Sequence, residues 1–447
     1  MSNKKKNSSN KFVFAISFCN FFDSAFPAAT GLALPYWTLA FGISAYGNGV
    51  LGALGCNAFG SALGALIGGI VSDRVGRKKA YKIGLIIGLF GSLISIVTWD
   101  FVSLAVGFAC MGFGIGMCVP VGWTYISELS EAKDRSVNIG ISQAARPVAI
   151  ALMYVLFFFF SFLLPATDAN GNLFPAGTYW IFDGLIGSRL FFVLLAIIGI
   201  CSIISQRNIP ESADWQNKNE KIFDFKYAKK VLTNKKTLKA VLFLTLVYVS
   251  WNIVAGTITQ FMPTMAKSVN LEGTPFAIVS ISVCLCAIAS VSIFPKCVKR
   301  WSYKTLYSFG CAASILGMLA VMLFALQFVY WGDAFRWIIA FFPIFWGAQT
   351  GFSAQTFFSI WSTELFPTKV RSIIQGISFF LVRALSGVWS LFVFGILDAT
   401  TPLGAANTIF VMIILLTIGF VVGVIGCPKT QNKSLDKITE EIYGDLN

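Results

Sequence analysis

The chain has 447 residues, of which 56% are hydrophobic and 12% are charged, and its mean hydropathy is +0.74. A soluble domain carries about 25% charged residues, so this composition excludes an ordinary soluble protein and indicates an all-α protein that crosses a membrane many times. Histidine is absent and the ten cysteines form no CxxC pair, so no metal site, catalytic centre or cofactor is predicted. The net charge of +14 raises the question of a nucleic-acid partner, which depends on where the charge lies.

Twelve apolar stretches are long enough to cross a bilayer, since a helical span needs about 20 apolar residues. A lysine-rich polar connection separates the first six from the last six. We therefore predict an N-terminal six-helix bundle (1–204), a cytoplasmic central loop (205–237), a C-terminal six-helix bundle (238–427) and a cytoplasmic tail (428–447). Spans one to twelve are predicted at residues 12–35, 48–71, 80–98, 101–126, 137–164, 184–204, 238–263, 275–295, 305–329, 336–361, 370–395 and 406–427.

Lysine and arginine are concentrated on one side of the predicted membrane. The two tails, the central loop and the loops after spans two, four, eight and ten hold 29 of the 34 basic residues. Because basic loops stay in the cytoplasm, both termini are predicted to be cytoplasmic, in the cell (plasma) membrane. The positive charge thus marks the inner membrane face, so no nucleic-acid partner is predicted. The expected partners are the lipid bilayer, a small-molecule substrate and H+, and the expected state is a monomer.

A stretch of the N-terminal half recurs in the C-terminal half. Eight of the fifteen residues in 128–142 are repeated at a constant offset of 236 positions, so that Glu128 matches Glu364 and Arg135 matches Arg371. An internal repeat indicates two structurally related halves. In membrane proteins such repeats are typical of transporters.

Three charged residues lie deep inside predicted spans: Asp23 in span one, Arg146 in span five and Arg383 in span eleven. The helix rise places each of them roughly 16–18 Å from the cytoplasmic face, near the bilayer centre. A charge at that depth costs at least roughly 2.5–3.5 kcal/mol, so we expect all three to line one polar cavity. One possibility is a structural salt bridge between Asp23 and one arginine. The other arginine would still favour an anionic substrate, bound by Arg383 and Arg146, with Asp23 as the proton-coupling group.

Other polar and aromatic side chains inside the spans are candidates for substrate binding. Asn252 and Gln260 are eight residues apart, which puts them on one face of span seven. Trp251 could stack on a ring, although packing is the commoner role of an aromatic residue in a chain that is 15% aromatic. The predicted substrate-binding set is Arg146, Arg383, Gln143, Asn252, Gln260, Gln349, Gln355 and Trp251.

Residues 68–79, GGIVSDRVGRKK, resemble the signature loop between spans two and three of the major facilitator superfamily. The resemblance implies two pseudo-symmetric six-helix bundles and a charged gate at the inner face. Asp73 would act at the end of a helix in the other half, where a charge is favourable. The implied gate residues are Asp73, Arg74, Arg77, Glu128, Arg135, Glu364 and Arg371. For each one taken singly, a helix cap or a topology-setting charge is the alternative.

Three further stretches are similar to the sugar-porter branch of that family: residues 120–135 (PVGWTYISELSEAKDR), 210–215 (PESADW) and 428–437 (PKTQNKSLDK). The likeness is incomplete, however. Where sugar porters carry a Gln-Gln pair in span seven, this chain has Ser250 and Trp251. The chain therefore keeps the gate motifs of the sugar porters but lacks most of the residues with which they contact a hexose.

Two more positions depart from the sugar-porter pattern. The span-ten tryptophan is Ser359, and the span-four arginine that partners the span-one aspartate is Phe108, whereas Gln143 matches a sugar-contacting glutamine. In contrast, residues 370–383, VRSIIQGISFFLVR, resemble span eleven of the organic-anion/proton symporters. Asp23 resembles the span-one aspartate of both groups.

The sequence therefore predicts a secondary active transporter, a proton-coupled symporter of a small organic solute, with a carboxylate-type anion slightly favoured by the two arginines. The alternative is a proton-coupled or facilitative sugar or polyol transporter, which the motifs along the whole chain favour. A remote alternative is a sensor of the same fold that does not transport, although the short tail argues against it. An enzyme is not predicted, and no P-loop indicates ATP-driven transport.

Overall fold

A computed structural model describes residues 11–163, 184–212, 215–216, 225–271, 273–330, 332–367, 370–395 and 401–444. These residues form α-helices, short 3-10 helices and turns, with no strand among them. Eleven of their helices are long and apolar enough to cross a bilayer. Span ten supplies the twelfth crossing, as two shorter helices. The predicted all-α fold with twelve crossings is confirmed.

The helices agree with the predicted spans to within a few residues. In chain order the spans are Phe18–Phe41, Ala45–Leu54 with Phe59–Val75, Arg77–Val97, Phe101–Leu129, Arg135–Gln143 with Ala145–Leu163, Gly184–Ser205, Lys235–Ser268, Gly273–Arg300, Tyr303–Tyr330, Phe341–Gln349 with Ala354–Glu364, Arg371–Gly395 and Pro402–Ile425. Two short helices, Phe225–Leu232 and Leu435–Tyr443, lie outside the spans. Residues 213–214 and 217–224 of the predicted central loop lie outside the described residues.

Span two is packed tightly on two sides because its small residues let other backbones approach. A Cβ atom at Gly68 would lie 2.8 Å from the Cα atom of Met117 in span four. On another face, a Cβ atom at Gly69 would lie 2.5 Å from the carbonyl oxygen of Ser372 in span eleven. Glycine at these positions permits the close helix contact that replaces hydrophobic association inside a membrane. Span two therefore binds its own bundle and the opposite bundle at once.

Two spans are interrupted along their length, span two at residues 55–58 and span ten at residues 350–353. Span five has a single turn residue, Ala144, whose φ and ψ remain helical. Non-helical backbone within a span is tolerated only inside protein or beside a cavity, because lipid cannot hydrogen-bond the freed groups. The break in span two brings Asn57 to the same level as Arg146.

The two bundles touch on both sides of that level. We call the side that carries the loops after spans two and four the basic end, and the opposite side the far end. Between spans five and eight, Gly140 packs on the ring of Phe294 at the basic end, and the rings of Tyr154 and Phe276 meet edge-on at 5.9 Å at the far end. Spans two and eleven also pack along their length. In the described residues the structure is thus closed at both ends.

Candidate substrate and proton site

A buried charge network lies at the basic end, where the two bundles meet. Arg77 places Nη1 2.9 Å from Oδ1 of Asp73 and Nε 3.0 Å from Oε2 of Glu128. From the other bundle, Arg371 places Nη1 3.4 Å from Oε1 of Glu128, and the backbone nitrogen of Ile373 donates to Oδ2 of Asp73 at 3.0 Å. Asp73 therefore lies at a helix end of the opposite half, as the resemblance implied. The network joins the two halves through charges that are shielded from solvent.

The repeat-related pair Arg135 and Glu364 adds a second link between the halves. The Nη1 atom of Arg135 is 3.9 Å from Oε1 of Glu364, and both side chains are buried. Arg74 differs from the other predicted gate residues because its side chain is exposed at the end of span two. Six of the seven predicted gate residues are thus buried at the boundary of the bundles, and Arg74 is outside that buried group.

The PESADW stretch secures the same network. Ser212 donates from Oγ to Oε2 of Glu128 at 2.6 Å. The Oε1 atom of Glu211 accepts hydrogen bonds from the backbone nitrogens of Arg77 (3.1 Å) and Lys78 (3.2 Å), so this carboxylate caps the start of span three. The motif was recognisable in the sequence, but its contact with Glu128 was not predicted.

At the centre of the protein, Asp23 and Arg383 form an ion pair that crosses between the bundles. The Nη2 atom of Arg383 lies 2.7 Å from Oδ1 of Asp23 and 3.4 Å from the hydroxyl of Tyr248. Its Nη1 atom donates to the side-chain oxygen of Asn57, which lies in the break of span two. Gln355, beside the break of span ten, donates to Oδ2 of Asp23 at 3.1 Å. The structural salt bridge considered from the sequence is therefore present, with Arg383 as the partner.

This pairing differs from the sugar-porter pattern, in which the partner of the span-one aspartate is an arginine of span four. At that position Phe108 packs against the ring of Trp37, with 5.8 Å between the centroids. The carboxylate of Asp23 is instead neutralised by a residue of the other half. In this chain, the ion pair can therefore hold the two bundles together.

A small polar cavity of about 10 Å³, room for about one water molecule, adjoins the ion pair. Its lining offers one carboxylate, one guanidinium, two amides of asparagine, one of glutamine, two hydroxyls and an indole. The lining residues are Asp23, Ser24, Asn57, Arg146, Trp251, Asn252, Ala255, Gly256, Thr259 and Gln355. The predicted residues Asp23, Arg146, Trp251, Asn252 and Gln355 are brought together here, and Arg383 joins them through Asp23.

Arg146 reaches this cavity from span five, two residues after the turn at Ala144. Its guanidinium carbon lies 5.2 Å from the centre of the Trp251 ring, a cation–π arrangement. The indole nitrogen of Trp251 donates to Oε1 of Gln349 at 3.1 Å, which fixes the ring. The Nε atom of Arg146 is buried and has no hydrogen-bond partner. Arg146 thus lines the cavity, and the carboxylate in the same lining, Asp23, is paired with Arg383.

The other predicted binding residues are placed less directly. Gln349 acts through Trp251, and Gln143 donates to the hydroxyl of Ser359 at 3.3 Å, across the bundles. Gln260 does not line the cavity with Asn252, contrary to the prediction. Eight residues separate the two by about 12 Å along span seven. At the far end, the backbone of Gln260 instead packs on span one at Gly31.

Sequence reasoning missed Asn57, Tyr248, Ser24 and Thr259. The signal for Asn57 was present, since an asparagine two residues after Gly55 inside an apolar span is a turn pattern. The role of Tyr248 depends on which arginine approaches it, which no local pattern specifies.

This arrangement, with two helical bundles, two broken spans and a central cavity closed at both ends, is that of a secondary transporter. Residues 13–391 match the profile of the Major Facilitator Superfamily, and the chain belongs to this family.

Similar proteins cover almost the whole chain. The minor myo-inositol transporter IolF of Bacillus subtilis is 29% identical over 97% of this chain and 94% of its own length. The arabinose-proton symporter of the same organism is 23% identical over 85% of this chain and 83% of its own. Among solved structures, the proton:xylose symporter XylE, bound to 6-bromo-6-deoxy-D-glucose, aligns with a TM-score of 0.77 at 16% identity and covers 98% of this chain and 99% of that one. The human organic anion transporter MFSD10 aligns with a TM-score of 0.62 at 12% identity and covers 91% of this chain and 99% of that one.

These findings confirm the predicted family and its likeness to sugar porters, and the relatives are transporters rather than enzymes. The slight preference for an organic anion gains no support from them. The sugar or polyol alternative fits the relatives better.

Proposed function

We propose that the protein is a proton-coupled symporter that carries a sugar or polyol through the central cavity. The observation that carries the proposal is the Asp23–Arg383 ion pair, because it joins the two bundles beside a cavity lined with amides and hydroxyls. A proton on Asp23 removes the negative charge that faces Arg383 and so weakens a contact between the halves. The similarity to the inositol transporter and to the arabinose-proton symporter supports the substrate class and the coupling.

Gln355 gives a route by which substrate binding can promote protonation. It donates to Oδ2 of Asp23, the oxygen that Arg383 does not hold. A substrate hydroxyl that engages the amide of Gln355 would leave Oδ2 open to a proton. Asn252 and Thr259 offer further groups for hydroxyls, which both donate and accept hydrogen bonds.

The basic-end network is the proposed gate on one side. When the contacts of Glu128 with Arg371 and of Asp73 with Ile373 break, the bundles can separate there and expose the cavity, as rocking of one bundle against the other requires. We further propose that this end faces the cytoplasm and that both termini lie on the cytoplasmic side of the plasma membrane, because the basic loops lie at this end. A monomer suffices, since each chain contains a complete cavity.

A second candidate is an organic anion, and one observation favours it: Arg146 lines the cavity without a carboxylate partner among the described residues. The similarity to the inositol transporter and the arabinose-proton symporter supports a sugar or polyol instead.

Uptake into proteoliposomes tests the proposal. Purified protein would be given labelled myo-inositol, D-xylose and L-arabinose, with and without an inward proton gradient, and with a protonophore as the control. We expect accumulation that the protonophore abolishes. If no sugar or polyol binds to the folded protein, the substrate class is wrong, whereas uptake that ignores the gradient contradicts only the coupling.

A further inference from the structure

The charges around the cavity do not balance. With Asp23 ionised, its pair with Arg383 is neutral, and among the described residues the lining contains no second carboxylate for Arg146. Binding a proton together with a neutral sugar would raise the net charge of the closed site from one to two, which is unfavourable where water and lipid cannot solvate it, whereas a proton with a monoanion leaves it at one. We infer that the substrate is a polyol or sugar that also carries one negative charge, a polyhydroxylated monocarboxylate of the aldonate or uronate class. This inference rests on the proposed function and narrows its substrate.

Arg146 is available to receive that carboxylate. The contact with Trp251, 5.2 Å from the guanidinium carbon to the ring centre, holds Arg146 at the wall of the cavity. The Nε atom is already buried without a partner. An edge with parallel N–H groups binds a carboxylate through two hydrogen bonds, a geometry that a neutral hydroxyl cannot reproduce.

The rest of the cavity suits the hydroxyl groups of such a substrate. Asn252 donates from Nδ2 to Ser386 at 2.8 Å, and Thr259 donates its hydroxyl hydrogen to the carbonyl of Ala255 at 2.7 Å. The side-chain oxygens of Asn252 and Thr259 therefore remain as acceptors for substrate hydroxyls. One wall of the cavity thus fits a carboxylate and another fits a chain or ring of hydroxyls.

Counting the charges in the site predicts how uptake of this substrate depends on membrane potential. The empty site with ionised Asp23 carries one positive charge, contributed by Arg146. After one proton and one monoanion enter, Asp23 is neutral, Arg383 and Arg146 are positive and the substrate is negative, so the net charge is again one. The loaded and empty carrier then move the same charge, and uptake does not respond to membrane potential. A neutral polyol with one proton would instead add a charge.

Binding to the purified full chain, measured by calorimetry, compares acids with neutral counterparts: D-glucuronate with D-glucose, and D-gluconate with D-glucitol. We expect each acid to bind more tightly by about tenfold or more, the value of a charge-assisted pair. Arg146→Gln should lose that advantage, so that each acid binds no more tightly than its neutral counterpart. Arg146→Lys keeps the charge and should keep part of the preference. Arg189→Gln is the matched control, since Arg189 is an intramembrane arginine that donates to the carbonyl of Thr98, away from the cavity.

The outcomes separate the inference from the proposed function. Equal or weaker binding of both acids by the wild-type protein overturns the inference and leaves a neutral sugar or polyol carrier. If all four compounds fail to bind while myo-inositol, D-xylose or L-arabinose binds, only the inference is overturned; failure of all seven overturns the proposed function as well. If Arg146→Gln does not fold, binding by Arg146→Lys and by the wild-type protein still tests the inference. Uptake of an acid that depends on membrane potential, in vesicles clamped with potassium and valinomycin, would also count against the inference.

Discussion

The backbone nitrogen of Ile373 donates a 3.0 Å hydrogen bond to Oδ2 of Asp73, although the two residues are 300 positions apart. Ile373 lies in the first turn of span eleven, so the carboxylate of one bundle caps a helix of the other and meets its positive end. Asp73 also pairs with Arg77 of its own bundle. The hydrogen bond between Asp73 and Ile373 therefore exists only when the two bundles are in contact at the basic end.

Asp73→Asn keeps an oxygen acceptor but removes the charge at the helix end. We expect the closed basic end to lose about 0.5–2 kcal/mol, because both the cap and the pair with Arg77 weaken. Amides in the first turn of span eleven should then exchange with deuterium roughly two- to thirtyfold faster, as measured by mass spectrometry. Lys82→Gln, an exposed change on span three, serves as the control. Identical exchange in the two variants would remove Asp73 from the closure.

Asp23→Asn leaves Arg383 buried without its carboxylate. Removing one partner of a buried pair costs about 3–5 kcal/mol, so the variant should unfold at a lower temperature than the wild type. Asp23→Asn with Arg383→Gln removes both charges and should recover most of the loss, which thermal unfolding of the four proteins measures. In vesicles, Asp23→Asn should still exchange substrate across the membrane, but a proton gradient should no longer drive accumulation of the substrate. Accumulation equal to that of the wild type would argue against Asp23 as the proton site.

Asn57→Asp would give Arg383 a second carboxylate. Arg383 would keep a negative partner after Asp23 is protonated, so the bundles should stay joined and uptake should slow by about tenfold, the effect of roughly 1.4 kcal/mol. The pH dependence of uptake should also flatten. Asn57→Ala, which removes only the acceptor, is the matched control. Wild-type pH dependence in Asn57→Asp would show that the contact of Asn57 with Arg383 does not affect coupling.

Gly69→Ala tests the contact between spans two and eleven. The added Cβ atom would lie 2.5 Å from the carbonyl oxygen of Ser372, so the two bundles must separate at the basic end. Overpacking of this kind costs about 1–3 kcal/mol, and we expect slower uptake with faster deuterium exchange in span eleven. Gly88→Ala is the control, because its nearest neighbour, Phe26, would be 3.7 Å away, an ordinary contact. Comparable defects in both variants would indicate loss of helix stability rather than of closure.

Asp100 predicts a small pH-dependent contribution to stability at the start of span four. The hydroxyl of Ser103 and its backbone nitrogen lower the pKa of Asp100 below its ordinary value of 3.8. The backbone nitrogen donates to Oδ1 of Asp100 at 2.8 Å. A lowered pKa means that the cap stabilises the protein above pH 3.8 and that this stabilisation is lost as the pH falls through the folded-state pKa. Asp100→Ala should therefore unfold slightly earlier than the wild type near neutral pH and at the same temperature at strongly acidic pH. A difference that persists in acid would assign the effect to something other than the ionised cap.

The spans and their pairing into halves were predictable because each depends on local composition or on a repeat. A run of apolar residues indicates a crossing wherever it occurs, and the recurrence of Glu128 and Arg135 as Glu364 and Arg371 indicates related halves. The depth of Asp23, Arg146 and Arg383 followed from helix rise alone.

The partners of those charges were not predictable, because they depend on how distant helices meet. Either arginine could have paired with Asp23, and only the fold selects Arg383. The break that brings Asn57 to Arg383 interrupts a span that hydropathy reads as continuous. Periodicity placed Asn252 and Gln260 on one face of span seven, but it could not show that the cavity ends before Gln260.

The ion pair between Asp23 and Arg383 also has a consequence during synthesis. The two residues are 360 positions apart, so span one enters the membrane long before its counter-charge has been translated. Until then the nascent chain holds an aspartate in hydrocarbon, at a cost of roughly 2.5–3.5 kcal/mol on insertion scales. The first half brings Arg146 to the same cavity, but the direct ion-pair partner of Asp23 becomes available only when the second half has been translated.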